Sequence, residues 1–188
     1  MFERRNLLRT VLAAAWSFVV VGVVWLRLSP FYEGWLVAGT NFVLPAGLML
    51  EHAGTGLAVR VVYAGRDFAQ GFDPLLLHSG IVIVLALVAA TPGRSMRWRA
   101  AAVVVVAGAL FALQVSAMAS FAFALRNAAG GGLGLGEVLA GFAIFWALTP
   151  LVVGGAWAYH FWLPGLSAGS ATLDGPPVDH VDRGVGAA

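Results

Sequence analysis

Apolar positions along the chain fall into four long runs, over residues 7–28, 74–90, 100–123 and 137–162, separated by polar or glycine-rich stretches. At about 1.5 Å of rise per helical residue, runs of this length approach or exceed a hydrocarbon core roughly 30 Å thick. The two central runs, joined by the arginine-rich turn TPGRSMRWR at 91–99, are the stretch around which the chain is organised. The pattern predicts an all-α, integral membrane four-helix bundle spanning 1–166. In the fourth run Pro150 predicts a kink, because its ring removes a backbone hydrogen bond and crowds the preceding turn. The first run follows Arg4, Arg5 and Arg9 and ends in WLRLSP. It is longer than a signal-peptide core of 7–15 residues and no small-residue cleavage pattern follows, so it reads as an uncleaved span.

Residues 29–73 read as an extramembrane loop. The half PFYEGWLVAGTNFVLPAGLML is apolar but interrupted by Gly34, Gly39, Pro45 and Gly47. That predicts an interfacial helix with Phe31, Tyr32, Trp35 and Phe42 at headgroup depth, or else a re-entrant segment. The half GTGLAVRVVYAGRDF alternates β-branched residues between glycines, which predicts a short strand pair. The tail at 167–188, rich in glycine and proline, reads as polar and disordered. Arginines concentrate before residue 10 and in the 91–99 turn, and are dilute in 29–73 and 124–136. The positive-inside rule then places both termini and the basic turn in the cytoplasm, in a multi-pass protein of the cell inner membrane.

Composition narrows the function classes. Hydrophobic residues make up 60% of the 188 and charged residues 11%, where a soluble domain carries about 25% charge. Mean hydropathy is +0.87. All eleven basic residues are arginines and the net charge is only +2, too sparse for a nucleic-acid surface. The chain has no cysteine, which excludes disulfides, thiolate nucleophiles and thiolate metal sites. No metal or other cofactor is expected. His78 and His160 fall at opposite ends of their spans, unsuited to a haem pair, and neither a three-ligand metal pattern nor a phosphate-binding loop is present. A transporter would need matched broken helices, and Pro150 is a single break.

Two features remain as candidate sites. Gly108, Ala112, Ser116 and Ser120 recur at steps of four, a small-residue stripe suited to helix packing. Gln114 lies on the opposite side of that helix and should face protein. His78, Ser79, Arg126 and Glu137, with Ser116 and Ser120, approach one plane at the outer side of the membrane. Ionisable groups at that depth raise the question of a site, although helix ends are also where polar residues belong. Ser79 beside His78 invites comparison with a serine nucleophile. Neighbours on a helix point about 100° apart, so His78 is poorly placed to activate it.

The stretch DPLLLHSGIVIVLALVAATPGRSMRWRAAAVVVVAGALFALQVSAMASF resembles the core of the exosortases and archaeosortases, multi-pass membrane enzymes that process proteins bearing C-terminal sorting signals. Where that family places a catalytic cysteine this chain has His78-Ser79-Gly80. Where it places an arginine-bearing patch the chain has Leu113-Gln114-Val115-Ser116, and Glu137 stands where a histidine would be sought. No catalytic residue carries over. The chain is more similar to the non-catalytic exosortase H-associated membrane proteins, through Trp25 with Ser29-Pro30, a strand-bearing outer loop, and ALVAATP at 86–92. The resemblance implies an accessory or scaffold subunit whose partners are the lipid bilayer and another integral membrane protein. Two other readings stand beside it. One is a structural subunit of a respiratory or photosynthetic complex, held by the small-residue stripe and by Trp16, Trp25, Trp146 and Trp157. The other is a degenerate membrane hydrolase using Ser79.

Overall fold

The structure is a computed structural model that describes residues 2–54, 56–132 and 134–163; the tail at 167–188 lies outside the described residues. Four α-helices and a small antiparallel sheet make up the fold: α1 (Phe2–Val43), β1 (Leu48–Ala53), β2 (Gly56–Tyr63), β3 (Arg66–Phe72), α2 (Pro74–Ala89), α3 (Met96–Ala129) and α4 (Leu135–Trp157), which ends in a π-helical turn, Ala158–Trp162. Three helices, over Val11–Val43, Met96–Ala129 and Leu135–Trp162, are long and apolar enough to cross a membrane. The chain is a membrane protein by the length and composition of these helices. The second expected span is the shortest: α2 has 16 residues, below the roughly 20 that a spanning helix needs.

The first helix does not stop where the sequence reading ended it. It continues through Ser29 and Pro30 to Val43, and the chain leaves it only at Pro45 and Gly47, whose φ is +88°. Pro30 costs a helix interior about 3 kcal/mol. Against this, Trp25, Leu36 and Thr40 lie on one stripe of α1 and are buried. Burying Leu36 contributes about 1.5–3 kcal/mol, and the partly buried Tyr32 and Val37 pack into the same core, so packing offsets the proline. No separate interfacial helix forms. Phe31, Trp35 and Phe42 stand on the outward face of α1, Phe42 at 90% exposure, whereas Tyr32 turns inward.

Three strands form where two were expected. β2 pairs with both neighbours, Leu50 opposite Val59 and Val61 opposite Phe68. Its alternation works as read: Leu57, Val59 and Val61 are buried against Met118, Phe121 and Leu125 of α3. The unforeseen strand β1 is held on its open edge by α1. The Asn41 amide donates to the Leu50 carbonyl at 2.8 Å, and its Oδ1 accepts the Leu50 N–H at 2.7 Å. A helix side chain thus closes the edge that a fourth strand would have covered.

A second core lies away from the sheet, where Trp25, Ile81, Val84, Leu85, Val88 and Leu110 meet. The helices close on glycines other than those of the predicted stripe. A Cβ at Gly80 would stand 2.9 Å from the Pro150 ring, one at Gly154 3.3 Å from Leu87, and one at Gly39 3.3 Å from Phe111 and Val115. Gly108, Ala112, Ser116 and Ser120 all lie on the exposed side of α3. At the basic turn, Ser95 caps α3, and the Trp157 indole N–H donates to the Thr91 hydroxyl at 3.0 Å.

Candidate functional site

Among the described residues, two of the four buried polar side chains, His78 and Gln114, lie where α1, α2 and α3 meet between the two cores. Trp25, Tyr32 and Glu33 come from α1, His78 from α2 and Gln114 from α3. Seven residues separate Trp25 from Tyr32, almost two helical turns, so both face the same way. Their rings lie 5.0 Å apart, and the His78 imidazole stands 5.6 Å from Trp25 and 5.9 Å from Tyr32.

Two polar links cross this contact. Glu33 Oε1 and His78 Nε2 are 2.8 Å apart and join α1 to α2. The Tyr32 hydroxyl donates to Gln114 Oε1 and joins α1 to α3. The His78 and Glu33 side chains are only 10% and 16% exposed. Withdrawing such groups from water is costly unless each finds a partner, which is why they are found together. The satisfaction is incomplete. Among the described residues, His78 Nδ1 and Trp25 Nε1 are buried without a hydrogen-bond partner. The geometry links α1 to α2 and to α3 and can lock three helices in one arrangement.

The residues expected in one plane are divided among separate places. His78 points into the helix contact. Ser79 points away from it, to the rim of a groove of about 620 Å³ between α2 and α4 that is also lined by Gln70, Ile83, Trp146 and Pro150. Arg126 lies in the last turn of α3 and lines a polar pocket with Tyr63 and Asn127. Glu137 opens α4, where its Oε2 accepts the Gly134 N–H at 3.3 Å, and it borders a groove between α3 and α4. Ser116 donates back to the Ala112 carbonyl at 2.9 Å. Gln114 faces protein, as its amide requires. Among the described residues no three His, Asp or Glu side chains converge as a metal site.

Sequence reasoning passed over Glu33, and with it the partner of His78. A signal was present: Glu33 is the sole carboxylate between residues 4 and 50. On the interfacial helix expected there, a carboxylate would meet water at headgroup depth and need no buried partner.

Outside the bundle, one charged group stands on the open face of the sheet. The Arg60 guanidinium donates from Nε to both oxygens of Asp67, at 2.9 and 2.8 Å, and lies 3.7 Å from Glu51. The hydrogen bond from Arg60 holds the Asp67 carboxyl below the ordinary carboxylate range, and Asp67 raises Arg60 in turn. Both are well exposed, so the cluster contributes little stability.

No protein-family model, curated protein or solved structure matches this chain.

Proposed function

We propose that the protein is an accessory or scaffold subunit of the inner membrane without catalytic chemistry of its own, similar to the companions of exosortase-type sorting systems. Both termini and the basic turn lie on the cytoplasmic side in this reading, and the sheet lies outside. The observation that carries it is how little of the spans the chain covers by itself. Within the most apolar windows, 6% of α1, 22% of α3 and 11% of the last helix are buried. The exposed flank of α1 carries Trp16, Phe31, Trp35 and Phe42, large rigid side chains of the kind that anchor contacts with another protein or with headgroups. The ionisable side chains further support the reading: Glu33 and His78 hold two helices together, and Glu137 caps a third.

The test is purification of the tagged protein from its native membrane in mild detergent, with mass spectrometry and an absorption spectrum. The absence of cysteine permits single cysteines at positions 16, 35 and 42 for crosslinking. The expected result is a colourless complex with one integral membrane protein, crosslinked from these positions and processing substrates with C-terminal signals. Co-purified cytochrome or pigment proteins would replace this reading with that of a structural subunit. A protein that runs alone and forms no crosslinks would refute both. Ser79→Ala is expected to leave function intact; loss of function at normal membrane levels would instead favour the hydrolase.

A further inference from the structure

The two edges of the sheet are finished differently. A two-residue turn joins β2 to β3 through Ala64 and Gly65, with φ of +51° and +75°. In such a turn Tyr63 and Arg66 form the closing hydrogen-bonded pair. Bonded and non-bonded pairs alternate along an antiparallel ladder, so Val61 with Phe68, Val59 with Gln70 and Leu57 with Phe72 also exchange bonds. Asp67, Ala69 and Gly71 lie between them and turn their N–H and C=O groups away from β2. The same count turns Leu50 of β1 outward, opposite Val59, and there Asn41 takes both of its backbone groups.

The β3 edge has no such cover. Among the described residues, its outward backbone groups meet one side chain, the Gln70 amide, which donates to the Gly71 carbonyl at 3.2 Å. Asp67, Ala69 and Gly71 are exposed, and the pairing runs from Leu57 to Tyr63 without a bulge. Neither proline nor lysine blunts the strand, and its one carboxylate is engaged by Arg60. Water satisfies an open edge in the ordinary case. This edge adjoins the α2–α4 groove, because Gln70 and Phe72 line that groove too, together with Leu139 and Phe142 of α4. Phe68, Gln70 and Phe72 share the inner face of the sheet with Leu57, Val59 and Val61. The Phe72 ring rests on Phe142, with 5.0 Å between centroids, so α4 passes beneath the end of β3. A strand added beside β3 would turn one set of alternate side chains toward this apolar floor and the other set to solvent.

We infer that the open edge of β3 docks one extended segment of a partner polypeptide, which adds a fourth strand to the sheet and carries apolar side chains at alternate positions. A row of backbone N–H and C=O groups at strand spacing is matched by another extended main chain. Lipid tails offer no such groups, and a helix has already spent its own. Phe72 and Phe142 select apolar residues at the inward positions. A second copy of β3 fits less well, since it would place Gln70 at the middle inward position. The inference deepens the accessory-subunit reading and rests on it only in taking the segment from a partner subunit.

The test uses the full-length protein in bicelles and, as probe, a capped synthetic peptide with the β2 sequence GLAVRVVY, which already matches β3 along its other edge. Amide exchange is followed residue by residue by NMR. Without peptide, the amides of Asp67, Ala69 and Gly71 should exchange at least about tenfold faster than those of Phe68 and Gln70. Saturating peptide should slow these three about tenfold and leave Leu50, closed by Asn41, unchanged. Ala69→Pro should fold, because an edge strand tolerates proline where its N–H faces outward, and should weaken peptide binding about tenfold. The same peptide with proline at its fourth residue should not bind, and it supplies the comparison on the native chain if Ala69→Pro does not fold. Slow exchange at the three amides before peptide is added would overturn the inference. So would exchange there that saturating peptide does not slow, equal binding of the two peptides, or binding unchanged by Ala69→Pro. Self-association that Ala69→Pro abolishes would assign the edge to a second copy instead. Crosslinks from positions 16, 35 and 42 are read separately: a closed edge leaves the accessory-subunit reading standing, and a chain without crosslinks that still binds the peptide overturns that reading alone.

Discussion

The link between Glu33 and His78 can be put to a quantitative test. Replacing His78 with alanine removes a 2.8 Å hydrogen bond and two ring contacts, to Trp25 and Tyr32. Interhelical hydrogen bonds in membrane proteins contribute about 0.6 kcal/mol on average and up to roughly 1.7, because the dissociated helices also find partners. Breaking a fully buried ion pair in a water-soluble protein costs about 3–5 kcal/mol. Here the two side chains retain 10% and 16% exposure, so the smaller range governs, at its upper end. Each ring contact adds about 0.5–1.5 kcal/mol. Relief of the unsatisfied His78 Nδ1 offsets about 1–3 kcal/mol of that. The expected cost of His78→Ala is therefore about 2 kcal/mol, within a range of about 0–4. The informative quantity is the coupling in a double-mutant cycle with Glu33→Ala, expected at about 1–2 kcal/mol. Reversible unfolding of bicelle-inserted protein by SDS measures it, with Trp25, 5.6 Å from the imidazole, contributing to the fluorescence. A coupling below about 0.5 kcal/mol would refute the claim that this pair fastens α1 to α2.

Three further predictions follow from the packing. Gly80→Val should destabilise the bundle by about 1–3 kcal/mol in the same assay, since a Cβ there meets the Pro150 ring at 2.9 Å, and Gly80→Val with Pro150→Ala should recover part of the loss. Asn41→Ala should cost about 1–3 kcal/mol, from two hydrogen bonds to Leu50, and hydrogen exchange should show β1 opening ahead of β2. Because Arg60 depresses the Asp67 carboxyl, that bond stabilises the sheet above the unfolded carboxylate range, near pH 4, and its contribution is lost as pH falls through the lower folded value. Asp67→Asn should remove this part of the acid dependence of exchange in residues 56–72; identical pH profiles in the two proteins would refute it.

Several features were legible because their causes are local. The glycine-bounded alternation at 57–61 announced β2, and the arginines at 94, 97 and 99 marked the passage from α2 to α3, with Arg94 in the turn and Arg97 and Arg99 in the first turn of α3. Gln114 was rightly expected to face protein, since an amide in an apolar helix must find a partner. Other features escaped because their causes are distant. Ser29-Pro30 is a genuine local stop signal, overruled by the burial of Leu36 and Thr40 against elements far along the chain. Residues 48–53, LMLEHA, carry no strong strand pattern. They become β1 because β2 offers a ladder and Asn41 covers the other edge. The small-residue stripe from Gly108 to Ser120 has the spacing of a seam, yet Gly39, Gly80 and Gly154 make the close approaches within this chain.

The sequence by itself determined that the chain is mostly helical, with long apolar helices and a strand-bearing segment between the first and the second. Run length, charge density and glycine clusters act over a few residues and are written directly along the chain. Tertiary structure decided which way each polar side chain points. His78 and Ser79 are adjacent, but a helix turns them about 100° apart, sending one to Glu33 and the other to the α2–α4 groove. That choice rests on a partner 45 residues away, and so on the free energy of the whole bundle, which no local pattern encodes.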